Sequence, residues 1–382
     1  MPLLPTADCL LPTMQILIAN LGSTSFKFKV LDSDQNYKET ARGGYERIGS
    51  GEFETHADVI DVILKQLDKK PDAIGFKAVH GGPISGAVKV DEKVLETMEA
   101  FADLAPAHNP VYIAAMRAFA EKLPGVPQVA AFETAFHQTA PLARQIYGIP
   151  WEWTEKLGIR RYGFHGASHR YIATRMKEIA PQAKRIISCH LGGSCSITAI
   201  EDGKSVGNSF GLTAQSGVFH NNRVGDFDGF ALLRVVQSGV SLADALKRLG
   251  KEGGLLGISG VSNDMRDVEK AASEGNKQAR LALDAFVESV RHYIGVYLVA
   301  LGGIDALVFT GGIGENGAAI RKSICANLSF AGIELDEAKN NVRGKETRIE
   351  SEHSRVQIWI VPANEELVVA KQTVEVLSGV PT

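Results

Sequence analysis

The chain has 382 residues, of which 45% are hydrophobic and 22% charged, and its formal net charge is −3. This is the composition of an ordinary soluble globular protein; the length suggests two domains, and the small net charge gives no reason to expect nucleic acid or an anionic membrane as a partner. The four cysteines (Cys9, Cys189, Cys195, Cys325) are scattered without a CxxC pair, which argues against disulfides or a zinc site and fits a reducing cytoplasm.

Residues 1–13 are apolar but hold three prolines and no basic residue, so they read as a disordered extension and not as a signal peptide. Met14 offers an alternative start. The ordered part opens on "ILIANLGSTSFKFKVLD". An apolar run, Ile16 to Ala19, meets Asn20 and a turn of Gly22, Ser23, Thr24 and Ser25. Phe26, Phe28 and Val30 then alternate with Lys27 and Lys29, which predicts a hairpin whose turn gathers amides, hydroxyls and a cation. "DAIGFKAVHGG" predicts a strand with a turn. "DEKVLETMEAFADLA" predicts a helix, with apolar residues at 94, 95, 98 and 101. "PQVAAFETAFHQ" predicts another strand running into a polar loop. This alternation favours α/β layers.

A second hairpin, "RIISCHLGGSCSITAIEDG", lies 170 residues after the first. Leu21–Gly22 falls on Leu191–Gly192, Val30 on Ile200 and Asp32 on Asp202. A matched pair half a chain apart suggests a duplicated domain. The segment from about Asn276 to Leu301 is helical, and Arg280, Asp284, Glu288 and Arg291 make it a core helix, not a membrane span. Ala306 to Thr310 predicts a buried strand. Gly311, Gly312 and Gly314 predict a tight loop, and a helix follows from about Ala318. Strand, glycine loop and helix N-terminus together favour an anion, although no GxxxxGK[ST] spacing is present.

Polar clusters mark the strand ends: "KAVHGG", "LAPAHNP", "FETAFHQT", "RYGFHGASH", "CHLGG" and "NNRVGDFD". They hold His80, His108, His137, His165 and His190, with His169 close by. One histidine beside a glycine is usually structural; several, with Lys27, Lys77 and Arg223, point to a site. HExxH is absent, which excludes the common zinc protease pattern. Donors and cations with a few acids (Glu133, Glu315, Glu365) suit phosphoryl transfer, where catalysis is mostly positioning and charge neutralisation.

On these residues the sequence resembles the acetate kinase family, within the sugar kinase, Hsp70 and actin superfold. "ILIANLGSTSFK", "AVHGG", "LAPAHNP", "YGFHGASH", "SGVSNDMRD", "FTGGIGEN", "RGKETRI" and "PANEE" match in order, from about Met14 to the end. The resemblance implies an α/β fold of duplicated ribonuclease H-like, actin-like ATPase domains, two lobes around a nucleotide cleft. Residues 14–150 plus 367–382 would form the acid and phosphate lobe, and residues 151–366 the nucleotide-binding and dimerisation lobe. It implies a cytoplasmic homodimer that phosphorylates a short-chain carboxylate with ATP, leaving ADP. Asn20 and Glu365 would hold Mg²⁺, for which Mn²⁺ could substitute. Ser23, Ser25 and Lys27 would line the phosphates, with His190, Leu191, Gly192, Gly193 and Ser194 along a second phosphate loop. Asp264, Met265 and Arg266 would sit at the adenosine, with Gly312, Ile313, Gly314, Glu315 and Asn316 as its loop. Glu133, His165 and Arg223 would be catalytic. Lys77, Val79, Ala107, His108, Phe164 and Ala214 would line the acid pocket.

Departures from the family pattern gather in that site. Lys77 stands for an arginine, Glu133 for an aspartate, Pro83 for a glutamate, and Gly193 and Ser194 for Asn and Gly. "HNNR" replaces "MGTR", Ala214 a proline, and Ala107 a leucine. Acetate is the expected acid. The alternatives are a kinase for propionate, butyrate or another acid, and an ATP-binding relative of low turnover. A nucleotide-gated interaction protein of the Hsp70 or actin kind would need a peptide-binding appendage, and no segment is left over for one.

Overall fold

The computed structural model describes residues 13–84, 86–106 and 108–379. Residues 1–12 of the expected extension and the pocket candidate Ala107 lie outside them. The chain divides into two compact units, one ending at Ala135 and resuming at Asn364, the other spanning Phe136–Ala363. Among the described residues no helix is long and apolar enough to cross a membrane.

The first unit is built on six strands: β1 (Gln15–Gly22), β2 (Ser25–Asp32), β3 (Lys38–Glu46), β4 (Ala73–Ala78), β5 (Ala87–Lys89) and β6 (Gln128–Phe132), in the order β3-β2-β1-β4-β6-β5. β1, β2 and β3 form an antiparallel meander; β4 and β6 run parallel to β1, and β5 is an antiparallel edge. Period-two alternation sends successive residues of β4 to opposite faces. Phe76 packs edge-on to Tyr112 and Phe119 of the helix Asn109–Lys122. Gly75 faces the other way, under the C-terminal helix Glu365–Ser378. A Cβ there would stand 2.6 Å from Thr373 Oγ1 and 3.0 Å from Val369, so the missing side chain lets that helix seat on the sheet.

The second unit repeats this plan. Its strands are β7 (Arg185–Leu191), β8 (Cys195–Glu201), β9 (Lys204–Asn208), β10 (Ala306–Thr310), β11 (Thr347–Arg348) and β12 (Gln357–Ile360). Read from β9, the order is β9-β8-β7-β10-β12-β11. Position for position it has the same strand senses as the first sheet. Even the irregularity recurs: β2 slips register against β3 between Val30 and Leu31, and β8 against β9 between Ala199 and Ile200. The duplication expected from the two hairpins is thus a duplication of whole sheets, the ribonuclease H-like plan.

Two faces of the second sheet differ in chemistry. Ile187, Cys189, Leu191, Cys195, Ile197 and Ala199 point into a core with the helix Lys277–Ala300, which is capped by Asn276. The intervening Ser188, His190 and Ser196 point to the opposite face, beneath the helix Gly166–Ile179. Alternation along two strands therefore sets polar residues under one end of that helix. The predicted tight loop after β10 is instead a helical turn, Gly311–Asn316, which a second helix, Ala318–Cys325, follows directly.

Candidate active site

In the first unit, the hairpin turn is two residues long. Gly22 pairs with Ser25, and Lys27 lies across from Asn20. Lys27 is 65% exposed and 3.6 Å from Glu46, so the cation keeps its solvent access. Tyr112 takes the amide hydrogen of Leu21 on its hydroxyl at 2.9 Å, which anchors the end of β1 just before the turn. Nothing in the helical period of residues 109–122 signals that role.

Behind the turn lies a charged cluster. Lys77 of β4 is bonded to Glu365, the first residue of the C-terminal helix, and stands 4.0 Å from Glu133 at the end of β6. Burial disfavours the Lys77 ammonium, but the Glu365 and Glu133 carboxylates outweigh it and raise its pKa. The same burial raises Tyr112, with Lys77 opposing. Lys77 is therefore charged at every ordinary pH. Removing one partner of a buried ion cluster typically costs about 3–5 kcal/mol, because the remaining charge is left unpaired. Lys77→Met is expected to lower the unfolding free energy by about that amount in a denaturant titration. A loss within experimental scatter would mean that the two carboxylates find other compensation.

Two carboxylates against one ammonium leave a surplus negative charge. Mg²⁺ needs only one or two protein carboxylates when phosphates and waters complete its shell, so Glu365 and Glu133, with the Asn20 amide on the neighbouring strand, have the chemistry for it. No group of three or more His, Cys, Asp or Glu side chains among the described residues could hold a metal unaided. Val79 and His108 lie at the ends of β4 and of the neighbouring helix, where His108 is the N-cap. His80 has a structural role: its Nδ1 accepts the Gly82 amide at 3.0 Å, and its ring stacks on Phe101 at 5.4 Å.

In the second unit, the turn Gly192–Ser194 between β7 and β8 carries the densest polar chemistry. His165 precedes the helix Gly166–Ile179, and its ring lies 4.4 Å from that of His190. Its Nδ1 is 2.9 Å from Ser196 Oγ, and Ser168 Oγ is 2.8 Å from His190 Nδ1. Phe210 is edge-on to both His165 and Phe164. Arg223 Nη1 donates to Ser194 Oγ at 3.2 Å and to the Ala214 carbonyl at 3.1 Å. Burial lowers the Arg223 pKa, yet a guanidinium stays charged in water-accessible pH. His137 is structural, held by Ser205 and the Phe164 carbonyl.

The turn Gly311–Asn316 lies against β7. Gly311 has φ +77°, and a Cβ on it would stand 2.7 Å from the Leu191 carbonyl oxygen, so only glycine fits. Glu315, expected at the nucleotide, instead accepts the Gly311 and Ala363 amides at 2.9 and 3.0 Å; its carboxylate shapes the turn. Asn316 bonds back to the Gly312 carbonyl at 2.9 Å. Leu191 and Met265 are core side chains, so only their backbone can meet a ligand. Asp264 caps the helix Met265–Ser273 and grips Arg266, whose hydrogen bonds hold the Asp264 carboxyl at about 2. Sequence reasoning missed Arg321. It is fully buried and donates to Asn340, to the Gly314 carbonyl at 2.8 Å and to the Val342 carbonyl at 3.1 Å; burial pulls its pKa to about 10. It fixes the floor of the glycine turn.

The Acetokinase family model matches residues 52–371. The chain is 43% identical to the acetate kinase of Dictyoglomus turgidum over 397 residues, 95% of this chain and 98% of that one. Among solved structures, the acetate kinase of Porphyromonas gingivalis superposes with a TM-score of 0.88 at 36% identity, covering 95% of this chain and 99% of its own. A propionate kinase from Francisella tularensis superposes with a TM-score of 0.87 at 38% identity, covering 94% and 98%.

Proposed function

This chain belongs to the acetokinase family, and from that premise we propose the reaction ATP + acetate = ADP + acetyl phosphate by direct in-line phosphoryl transfer, with longer acids also accepted. It is a phosphotransferase with a carboxyl acceptor. A carboxylate is ionised at neutral pH, so its attack on the γ-phosphorus needs no strong base. The obstacle is repulsion between two anions, and the residues answer that with donors and cations. The observation that carries the reading is the face around Gly192–Ser194. Two imidazoles and a guanidinium converge there, while Glu315 is turned to backbone amides.

Arg223 and His165 stabilise the transferring group. The turn Gly192–Ser194, with His190, follows the phosphates, and Gly312–Asn316 with Asp264 and Arg266 receives the adenosine. In the first unit, Ser23, Ser25 and Lys27 meet phosphate oxygens, and Lys77, Val79 and His108 are its candidates for the acid; Phe164 and Ala214 are those of the second unit. Asn20 and Glu365 hold Mg²⁺, which screens phosphate charge when bound. Glu133 holds Lys77 in place. The protein works as a homodimer. The helices Ala231–Gln237 and Leu242–Lys251 pack together and leave Phe230, Leu233, Leu242 and Leu246 exposed, an apolar surface of the kind a second copy covers.

The acid is the open choice. Ala214 stands for a proline of the family pattern, and its carbonyl is fixed by Arg223, so the smaller side chain leaves room in the pocket wall. Each methylene filling an apolar pocket contributes roughly 1–3 kcal/mol, or about 10–200-fold. Propionate or butyrate is therefore expected to be used at least as well as acetate. The test is hydroxylamine trapping of acyl phosphate and kcat/KM for the three acids with Mg-ATP. A clear preference for acetate would make Ala214 a neutral substitution. Absence of acyl phosphate from every acid, with ATP still bound, would favour an ATP-binding relative of low turnover.

A further inference from the structure

His169 is buried and has no place in the reaction just described. Yet its two nitrogens are both engaged, Nδ1 at 2.9 Å from Ser188 Oγ and Nε2 at 2.8 Å from Ser196 Oγ. Ser196 Oγ also lies 2.9 Å from His165 Nδ1. Ser188, His169, Ser196 and His165 thus form one continuous file of hydrogen bonds. It runs from β7 through the helix Gly166–Ile179 and β8 to the residue that begins that helix. Ser188, Ser196 and His169 are fully buried, so each hydroxyl hydrogen needs an acceptor within the file.

That requirement sets a direction. Suppose His165 donated from Nδ1 to Ser196. Ser196 would then donate to His169 Nε2, and His169 would donate from Nδ1 to Ser188. Among the described residues the Ser188 hydroxyl hydrogen would be left with no acceptor, since its bond with His169 is the one hydrogen bond that Oγ makes to them. Leaving a buried donor unpaired costs about 1–3 kcal/mol. The opposite direction satisfies every group. Ser188 donates to His169 Nδ1, His169 Nε2–H donates to Ser196, and Ser196 donates to His165 Nδ1. A protonated His169 would break the file, because it would present two donors; burial, with His137 and His190 nearby, disfavours that charge.

We propose that Ser188, His169 and Ser196 act as a positioning relay that holds His165 in the tautomer with its hydrogen on Nε2. This deepens the reading of His165 as a group that stabilises the transferring phosphoryl, and it rests on that reading. Only the Nε2–H tautomer can donate a hydrogen bond from that nitrogen without first taking up a proton. Ser168 sets its neighbour in the same way: it is buried and bonds at 2.8 Å to His190 Nδ1, so its hydroxyl donates there and leaves the His190 hydrogen on Nε2. Two neutral imidazoles, side by side, then offer hydrogens from the same ring position.

The relay can be read independently of activity. Histidine-selective ¹⁵N labelling and two-bond ¹H–¹⁵N spectra distinguish the two tautomers, with His165 assigned from a His165→Asn variant. In the unaltered protein His165 and His169 are expected as Nε2–H forms. Ser196→Ala should turn the His165 signal into a tautomeric mixture and lower kcat by on the order of 10–100-fold, the usual effect of losing an orienting partner, with KM for ATP and acid little changed. Ser196→Thr keeps the hydroxyl and should restore both. If Ser196→Ala does not fold, Ser188→Ala tests the far end, where His169 should become a mixture. An Nδ1–H form of His165 in the unaltered protein overturns the relay, and so does a His165 signal that ignores the loss of Ser196. A tautomer change with kcat intact upholds the relay and instead removes His165 from the chemistry.

Discussion

Arg223→Ala is expected to lower kcat by on the order of 10³-fold or more, the effect associated with arginines that stabilise a transferring phosphoryl group. The sequence around it, "NNRVGDFD", has no apolar period and reads as a flexible polar loop. The structure pins it. The Arg223 carbonyl accepts the His220 amide at 3.1 Å, and the Val224 amide donates to the Leu249 carbonyl at 3.0 Å. Asp226 accepts the Gly217 amide at 2.9 Å and the Tyr293 hydroxyl at 2.5 Å. The guanidinium is thus held before substrate arrives, bridging the turn at Ser194 and the carbonyl of Ala214. Preorganised charge costs no reorganisation at the moment of reaction, so its loss should fall on kcat. Arg223→Lys keeps the charge but not the fork, and is expected to recover only part of the rate. Steady-state kinetics with both substrates varied separates the cases. A rise in KM for the acid alone, with kcat unchanged, would make Arg223 a binding residue.

Much of the fold could be read from periodicity. The two hairpins stand out because small polar turns interrupt alternating strands, and the core helix Lys277–Ala300 begins where Asn276 caps it. The turn Gly311–Asn316 reads as a loop in the sequence because glycines disfavour a helix in isolation; buried Arg321, bonded to the Gly314 carbonyl, holds it helical. The site was legible as a set of residue types, not as a set of partnerships. Lys77 and Glu365 are 288 residues apart in sequence, and no local pattern links them. Ser188 and Ser196 look like ordinary small strand residues. Their function comes from facing His169 across the sheet surface, which a strand pattern can orient but not pair. By the same limit His80 and His137 look in sequence like His165 and His190, although tertiary bonds make the first two structural.

The unit spanning Phe136–Ala363 is expected to lose stability steeply as the pH falls below about 6.5, the unperturbed histidine value. Three of its histidines are buried and neutral. Burial pushes His137 down to about 3, with Arg170 adding to that and the bond to the Phe164 carbonyl opposing it. Burial, then His137 and His190, hold His169 well below its usual value. Burial, then the Arg223 charge and His190, do the same to His220. Their hydrogen bonds agree. His220 Nδ1 accepts the Cys195 amide at 2.7 Å, and a proton placed there would break that bond. His169 would lose the donation from Ser188 in the same way. In the unfolded chain each would take up a proton as the pH passes through about 6.5, whereas the folded chain would not, so protonation favours unfolding. The stability is complete above that pH and is lost progressively below it, and for His137 the loss continues down to about 3. Each group contributes about 1.4 kcal/mol per pH unit in that window, so three together approach about 4 kcal/mol per unit. Native-state carboxylates with lowered values, such as Asp264 at about 2, add to the loss only at more acid pH, where unfolded carboxylates titrate. Urea unfolding of the whole chain, followed by a probe in this unit between about pH 6 and pH 5, is expected to show an uptake approaching three protons. His220→Asn should reduce the slope by one proton. An uptake of one proton or fewer in the unaltered protein would mean that at least two of these imidazoles already carry charge in the fold.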